Sequence, residues 1–180
     1  MNGLMAAATA LSRSQLVLRA LVFLGPVVAV LAAGPAGHWP AWWAVVGIVV
    51  LAAGFAALPE SPIGAGVLLV VLAWWAGALD DGLHPAVLVA ATALLVAHVA
   101  AVLAGYGPGE MPLDPALVRL WVRRGAVLLL GVPLVWGLAL LLDGEPEQPG
   151  IWVIGVGAGL VATVAATVAL TAGSPAEELP

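Results

Sequence analysis

Residues 113–142 read LDPALVRLWVRRGAVLLLGVPLVWGLALLL, and this stretch decides how the rest of the chain is interpreted. It carries Arg119, Arg123 and Arg124, and after them the run from Gly125 to Leu142 contains 18 residues without a charge. At about 1.5 Å per residue, a helix of that length spans about 27 Å, close to the ~30 Å hydrocarbon core of a bilayer. The stretch therefore predicts a transmembrane helix with a basic entry.

The beginning of this stretch has the signals of an amphipathic helix start. Asp114 is a preferred N-cap residue, and Pro115 suits the first helical position because its missing N–H would be unpaired there anyway. The residues that follow place arginines on one stripe and apolar side chains on another, the apolar ones being Leu117, Leu120 and Trp121. Segment 114–124 is therefore predicted to be amphipathic and to lie among lipid headgroups.

The composition excludes a soluble protein of this size. Hydrophobic residues make up 63% of the chain and charged residues 8%, and the mean hydropathy is +1.15, whereas a soluble domain carries about 25% charged residues. We predict an all-α, polytopic integral membrane protein without a sizeable soluble domain. Because the net charge is −5 and no basic patch exists beyond a few interfacial arginines, nucleic acid is not an expected partner.

The absence of certain residue types and motifs limits the kinds of functional site that the chain can form. The chain has no cysteine, which excludes disulfides, thiolate metal sites and cysteine nucleophiles. It contains no nucleophile elbow, no HExxH motif and no phosphate-binding loop, so we predict no catalytic residue, no cofactor and no resident metal. Lysine is also absent while alanine, glycine, valine, proline and arginine abound, which is typical of a bacterium with a GC-rich genome.

Proline, glycine and acidic residues divide the chain into apolar segments. We predict six transmembrane helices, a cytoplasmic or interfacial segment over 1–15 and a short acidic cytoplasmic tail over 172–180, the helices covering 16–33, 40–58, 62–79, 85–104, 125–142 and 151–171. Ser61 is expected to cap the third helix. The first segment also resembles a secretory signal peptide, but Pro35 beside the scissile bond disfavours cleavage.

The arginines set the orientation. Six crossings place both termini, the turn after the second helix and the segment before the fifth helix on one side. All five arginines fall on that side, namely Arg13, Arg19, Arg119, Arg123 and Arg124. The positive-inside rule makes that side cytoplasmic and predicts a multi-pass protein of the bacterial plasma membrane. Arg19 lies within the first crossing near its start, where its side chain can extend to the headgroups.

The tryptophans are biased to the opposite side of the membrane. Only Trp121 is predicted in the cytoplasmic half, and the outer half holds Trp39, Trp42, Trp43, Trp74, Trp75, Trp136 and Trp152. These side chains anchor the helices at the interface, which is the favoured interpretation. The alternative is an aromatic surface for lipid or a partner, built from the two Trp-Trp pairs.

His98 is the single ionisable residue deep within a predicted helix. An ionisable group inside a membrane is a candidate for proton relay or ligand binding. The alternative is a neutral, structural imidazole that is hydrogen-bonded to a carbonyl or hydroxyl group of a neighbouring helix, with Thr92, Thr163 and Thr167 as candidate hydroxyls. Because no carboxylate accompanies it in the sequence, the structural interpretation is favoured.

The outer loops hold a second group of candidates. Asp80, Asp81 and His84, together with the acidic turn 143–150, could bind a divalent cation or form an outer-face active site. The same residue types are typical of any solvated turn. The solvated turn is the favoured interpretation.

Small residues recur at four-residue spacing in two predicted helices. Gly155 and Gly159 lie in the sixth helix, and Ala97 and Ala101 belong to an alanine stripe in the fourth. Such residues let helix backbones approach closely where lipid offers no hydrophobic drive. We predict that these faces close the bundle, and the alternative is that they dock another protein.

Three functions remain open. The favoured one is a non-catalytic accessory or scaffold subunit, because the loops are short and no catalytic motif is present. The second is a small transporter or channel that uses His98 and the first and fifth helices, which are expected to be kinked at Pro26 and Pro133. The third is an enzyme around Asp80, Asp81 and His84. The expected partners are the lipid bilayer and either a membrane protein or a second copy of the chain.

Overall fold

The computed structural model of the chain describes residues 11–78, 83–106 and 111–142, together with single positions between 153 and 164. These residues form helices and no strand, which confirms the all-α class for the described part of the chain. The helices are α1 (Arg13–Leu31), α2 (Trp42–Ala57), α3 (Ile63–Ala78), α4 (Ala86–Gly105) and α5 (Pro115–Leu142), with a 3-10 turn at Gly34–Ala36. The chain divides into two compact units, Met1–Leu141 and Leu142–Pro180.

Helix α1 is the central helix of the first unit. Its N-cap is Ser12, whose hydroxyl accepts the Gln15 N–H at 3.3 Å, so the helix begins before the predicted residue 16. Pro26 lies inside α1 and is buried, and the helix continues past it. The helix packs mainly against α4 and α2. Its buried apolar residues include Leu18, Val22, Ala29 and Val30.

The contact between α1 and α4 depends on a glycine. A Cβ atom at Gly25 would overlap the Cβ of Ala97 and would lie 2.7 Å from the carbonyl oxygen of Ala93. Ala97 is fully buried, and Ala101 is buried one turn further along α4. Small side chains on both helices therefore allow the two backbones to approach closely, which maximises van der Waals contact where apolar surroundings give no hydrophobic drive.

Helices α2 and α3 form a hairpin with a tight turn. The ring of Phe55 lies against Gly64, where a Cβ atom would overlap the ring. The hydroxyl of Ser61 donates to the Leu58 carbonyl at 2.7 Å and so closes the turn within itself. The prediction that Ser61 caps the third helix is wrong, because no backbone N–H among the described residues donates to its hydroxyl and the Gly64 N–H bonds to the Ser61 carbonyl instead.

Helix α5 begins where the sequence predicts. Asp114 Oδ1 accepts the Ala116 N–H at 2.8 Å, and Pro115 is the first helical residue. The helix has 28 residues and includes Pro133 in its interior, so this proline does not end it. The basic segment 114–124 is not a separate interfacial helix, since the backbone remains helical through Gly125. No residue of α5 is buried.

Side-chain contacts show which helix ends share one end of the bundle. Ser12 Oγ donates to the Met111 carbonyl at 3.2 Å, and Gln15 Nε2 donates to the Ala104 carbonyl at 3.4 Å. Arg19 Nη1 donates to the carbonyls of Ala56 and Ala57, both at 2.8 Å. The start of α1, the ends of α2 and α4 and the segment before α5 therefore lie together. We call this end of the bundle the arginine end.

Three of the described helices are long and apolar enough to cross a membrane, judged by length and composition. They are α1 with its 3-10 turn, α4 and α5. Helices α2 and α3 are apolar but contain 16 residues each, or about 24 Å. Both are shorter than the predicted segments 40–58 and 62–79. One reason is that Ala41, before α2, is extended rather than helical.

The second unit is described only at single positions. Val153, Gly155, Gly157, Leu160, Val161 and Val164 are helical, within the predicted segment 151–171. Several other predicted features lie outside the described residues, namely residues 1–10, Asp80, Asp81, the acidic turn 143–150, Gly159, Thr163, Thr167 and the tail 172–180.

Candidate functional site

His98 lines an open groove at the arginine end rather than a hydrogen-bonded contact between helices. Its side chain is exposed, and among the described residues it makes no hydrogen bond. The groove has a volume of about 460 Å³. The prediction of a hydrogen-bonded structural histidine is therefore not met within the described part of the chain, although Thr163 and Thr167 lie outside it.

The groove also holds polar residues that the sequence analysis missed. Glu60 and Ser61 line it from the turn between α2 and α3, and Tyr106 lines it from the end of α4. We call it the Glu60–His98 groove. Its remaining lining is mostly apolar and comes from α2, α3, α4 and the turn, including Phe55, Ala65, Leu68, Ala101 and Val102. His98 therefore has a carboxylate in its own groove, which its surroundings in the sequence do not show.

The spacing along α4 explains how these groups come together. His98, Ala101, Val102 and Gly105 follow each other at intervals that place them on one helix face. Glu60 lies against the last of them, since a Cβ atom at Gly105 would be 3.1 Å from its Oε1 atom. His98 precedes Gly105 by two turns, or about 10 Å along the helix. The carboxylate is thus at the arginine end of the groove, which we call its mouth, and the exposed imidazole lies about two turns further along α4.

The electrostatics of the mouth favour positive charge. Glu60 is exposed and makes no ion pair or hydrogen bond within the described residues. It lies at the C-terminal end of α4, where the unpaired carbonyl groups already carry partial negative charge. Arg19 does not compensate for this charge, because its Nη1 atom is bound to the carbonyl groups at the end of α2.

The predicted interfacial arginines have different roles in the structure. Arg13, Arg119 and Arg123 are exposed, and their contact with headgroups stays a prediction. Arg124 lies over the ring of Trp121 at 5.6 Å from its centroid, a cation–π contact. Arg19 is half-buried and caps the end of α2, and its position at the headgroups stays a prediction. A guanidinium is suited to this role because its fork of donors can bind two carbonyl oxygens.

The outer-loop candidates are only partly described. His84 Nδ1 accepts the Ala86 N–H at 3.1 Å, so this ring satisfies a donor at the start of α4 that would otherwise be unpaired. Asp80 and Asp81 lie outside the described residues, and the cation site that includes them stays a prediction. No group of three or more histidine, aspartate or glutamate side chains arranged to hold a metal occurs among the residues that the structure describes.

The tryptophans differ in their exposure. Trp39, Trp42 and Trp43 are 72%, 78% and 64% exposed, as membrane anchors would be. Trp75 is buried and donates from Nε1 to the Ala29 carbonyl at 2.8 Å. The alternative of an aromatic surface from both Trp-Trp pairs is therefore wrong for the second pair, because Trp75 belongs to the core.

A second, apolar cleft of about 500 Å³ lies between the beginning of α4 and the second half of α5. Leu83 and Val87 line one side, and Gly131 and Val135 line the other. The Nε1 atom of Trp136 is buried and has no hydrogen-bond partner within the described part of the chain. The described residues that line this cleft carry no charged side chain.

Relatives do not add to this geometry. No family model, curated protein or solved structure matches the chain.

Proposed function

We propose that this chain is an integral membrane protein with six crossings that acts as a non-catalytic component of a larger membrane assembly. The observation that carries the proposal is helix α5, which has 28 residues and none of them buried. Its leucines include Leu130 and Leu141, which are 72% and 78% exposed. An apolar surface of this length is unfavourable in water, and lipid together with a protein neighbour would cover it.

The glycines of α5 support a protein neighbour on part of that surface. A Cβ atom at Gly131 or Gly137 would meet no atom of the described residues within 4 Å. Glycines in apolar helices allow close approach of a second helix, and here that approach is not made by the helices of the first unit. Gly131 lines the apolar cleft against α4, and Gly137 lies about 120° away from it around the helix axis. We therefore assign only the Gly137 face of α5 to a partner subunit, with a second copy of this chain as the alternative.

The distribution of charge supports a cytoplasmic position for the arginine end. Arg13 and Arg19 lie at the start of α1, which contacts the segment before α5. Arg119, Arg123 and Arg124 lie in the first turns of α5. By the positive-inside rule this end faces the cytoplasm of the bacterium, and six crossings then put both termini there.

The absence of native cysteine allows a direct test of this topology. Met111→Cys lies at the arginine end, and Gln148→Cys lies in the predicted outer loop. In intact cells we expect a membrane-impermeant maleimide to label Gln148→Cys, and to label Met111→Cys only after the membrane is opened. The reverse pattern would invert the orientation, and labelling of both in intact cells would exclude the six-crossing arrangement.

The assembly role is tested by extraction in a mild detergent at native expression level. We expect a stoichiometric membrane protein to co-purify with the tagged chain and to be lost from Gly137→Leu. Gly47→Leu is the matched control, since a Cβ atom at Gly47 also meets nothing within 4 Å but lies on α2. A homogeneous monomer, or a partner that both variants retain, would contradict the proposal. A homo-oligomer lost only from Gly137→Leu would identify the second copy as the partner.

A small transporter is the second candidate, and the Glu60–His98 groove is the observation that favours it. The groove reaches from the arginine end to His98, two turns inside α4. Neither Pro26 nor Pro133 lines it, so a pathway through the two proline-containing helices has no support. The test uses liposomes that contain a pH-sensitive dye. If the chain moves protons through His98, liposomes with the native protein should dissipate a pH gradient faster than liposomes with the His98→Ala variant. Equal rates would exclude proton movement through His98.

A further inference from the structure

We propose that the Glu60–His98 groove is a binding site for an amphiphilic organic monocation that enters from the arginine end. The carboxylate of Glu60 holds the charged group at the mouth, and the apolar lining holds the body of the ligand. This inference goes beyond the assembly role, because it depends on the groove alone and not on the surface of α5.

Charge selects a cation. Glu60 is the only formally charged side chain in the lining among the described residues, and it makes no ion pair there. The carboxylate adjoins the C-terminal end of α4, so both contribute negative potential at the same place. The C-terminal ends of α2 and α4 differ in the charge of the side chain that binds their carbonyl groups. The cationic Arg19 donates to the end of α2, whereas the neutral Gln15 amide donates to Ala104 at the end of α4. A ligand cation at the mouth would supply the missing positive charge.

The lining selects an organic ligand rather than a bare metal ion. Only Glu60 and His98 offer the donor types that most metals prefer, and no metal-holding group of three is found in the described residues. Most of the other lining side chains are apolar, among them Leu68, Ala65 and Val102. Small-molecule sites have this combination of apolar walls with a few polar groups, and volumes of about 300–1,000 Å³ are usual for them.

Aromatic and polar groups in the lining fit such a cation. Tyr106 lines the groove and is 55% exposed, and the face of an exposed aromatic ring attracts an organic cation, whereas the Phe55 ring is buried against Gly64. His98 has no hydrogen bond within the described residues and is available to a donor on the body of the ligand. No arginine lines the groove, so a phosphate or carboxylate ligand would meet Glu60 without compensation.

The probe is tetraphenylphosphonium, a lipophilic monocation, titrated calorimetrically into the purified full chain in neutral detergent. Tetraphenylborate, an anion of closely similar shape, is the matched probe of opposite charge and reports partition into the micelle. We expect saturable binding of the phosphonium and only partition of the borate. We expect Glu60→Gln to weaken phosphonium binding by about two- to fivefold, because the charge pair that is lost is exposed at the mouth of the groove.

Two further variants separate the charge effect from a change in fold. Asp114→Asn removes one carboxylate outside the groove, keeps an N-cap residue at α5, and should bind the phosphonium as the native chain does. Ala65→Trp fills the groove from α3 and should abolish binding while the melting temperature stays close to native. Equal binding by the native chain and Glu60→Gln, equal binding of both probes, or unchanged binding by Ala65→Trp would overturn the proposal.

The result is independent of the two functional proposals. Cation binding without a co-purifying partner would leave this site intact and reject the assembly role. Binding without a difference in flux between native and His98→Ala liposomes would leave the site intact and reject proton-coupled transport. Loss of a partner from Gly137→Leu, with no phosphonium binding by the native chain, would support the assembly role and reject the cation site.

Discussion

The indole of Trp75 and the carbonyl of Ala29 form the contact that joins α3 to the end of α1. Trp75 Nε1 donates to Ala29 O at 2.8 Å, and both residues are buried. The carbonyl is free because the last turn of α1 tightens, so that the Ala33 N–H bonds to Val30 O instead of to Ala29 O. A helix end would otherwise leave this acceptor unpaired in an apolar environment, which costs free energy.

We expect Trp75→Phe to destabilise the fold by about 1–3 kcal/mol, because the Ala29 carbonyl loses its partner and remains buried. The measurement is the unfolding free energy in mixed micelles at increasing denaturing detergent. Trp74→Phe is the matched control, since Trp74 Nε1 is buried and has no hydrogen-bond partner in the described residues. That variant should be neutral or slightly more stable. Equal losses from the two substitutions would show that ring volume, and not the hydrogen bond, is responsible.

Gly25 should tolerate no side chain. Gly25→Ala puts a methyl group against Ala97 and the backbone of Ala93, and backbone cannot move aside as a flexible side chain can. We expect a loss of about 1–3 kcal/mol from overpacking. Gly47→Ala, in the open interior of α2, should be neutral or should stabilise by up to about 1 kcal/mol through helix propensity. Thermal unfolding followed by circular dichroism measures both, and a stable Gly25→Ala protein would contradict the close α1–α4 contact.

Arg19 should contribute to stability where another arginine of the same end does not. Arg19→Gln shortens the side chain and removes donors from the Ala56 and Ala57 carbonyls, and we expect a loss of about 1–2 kcal/mol. Arg119→Gln removes the same charge from an exposed position and should leave the unfolding free energy nearly unchanged. Because both variants lower the charge of the arginine end equally, a difference between them in detergent isolates the capping contact. Equal unfolding free energies for the two variants would show that the contact between Arg19 and the end of α2 does not contribute to stability.

His84 should act at the helix start rather than on a metal. His84→Ala leaves the Ala86 N–H without its acceptor, and we expect a loss of about 0.5–1 kcal/mol. His84→Asn offers an amide oxygen at the same place and should recover most of that loss. A metal site predicts a different pattern, in which added zinc raises the melting temperature of the native chain and neither variant responds. Detergent melting curves with zinc and with chelator distinguish the two.

The Glu60–His98 groove shows what could have been found from the sequence. An up-down order of helices places the α2–α3 turn and the end of α4 at the same end, and His98 shares a face with Gly105 by spacing alone. From these two facts, the proximity of Glu60 and His98 can be predicted from the sequence alone. The neighbours of His98 in the chain itself include no carboxylate, which is why local sequence alone favours a structural role.

The sequence by itself determined the helical class, the start of α5 at Asp114-Pro115 and the gathering of arginines toward one end, because each depends on local signals or on the order of segments. Only the tertiary structure decided that Arg19 caps α2, that Trp75 is a core residue bound to Ala29 and that His98 faces a groove with Glu60. These results depend on how each helix is rotated about its axis. In helices that are apolar on every side, periodicity does not select the buried face, so the close fit of small residues such as Gly25 and Ala97 selects it instead.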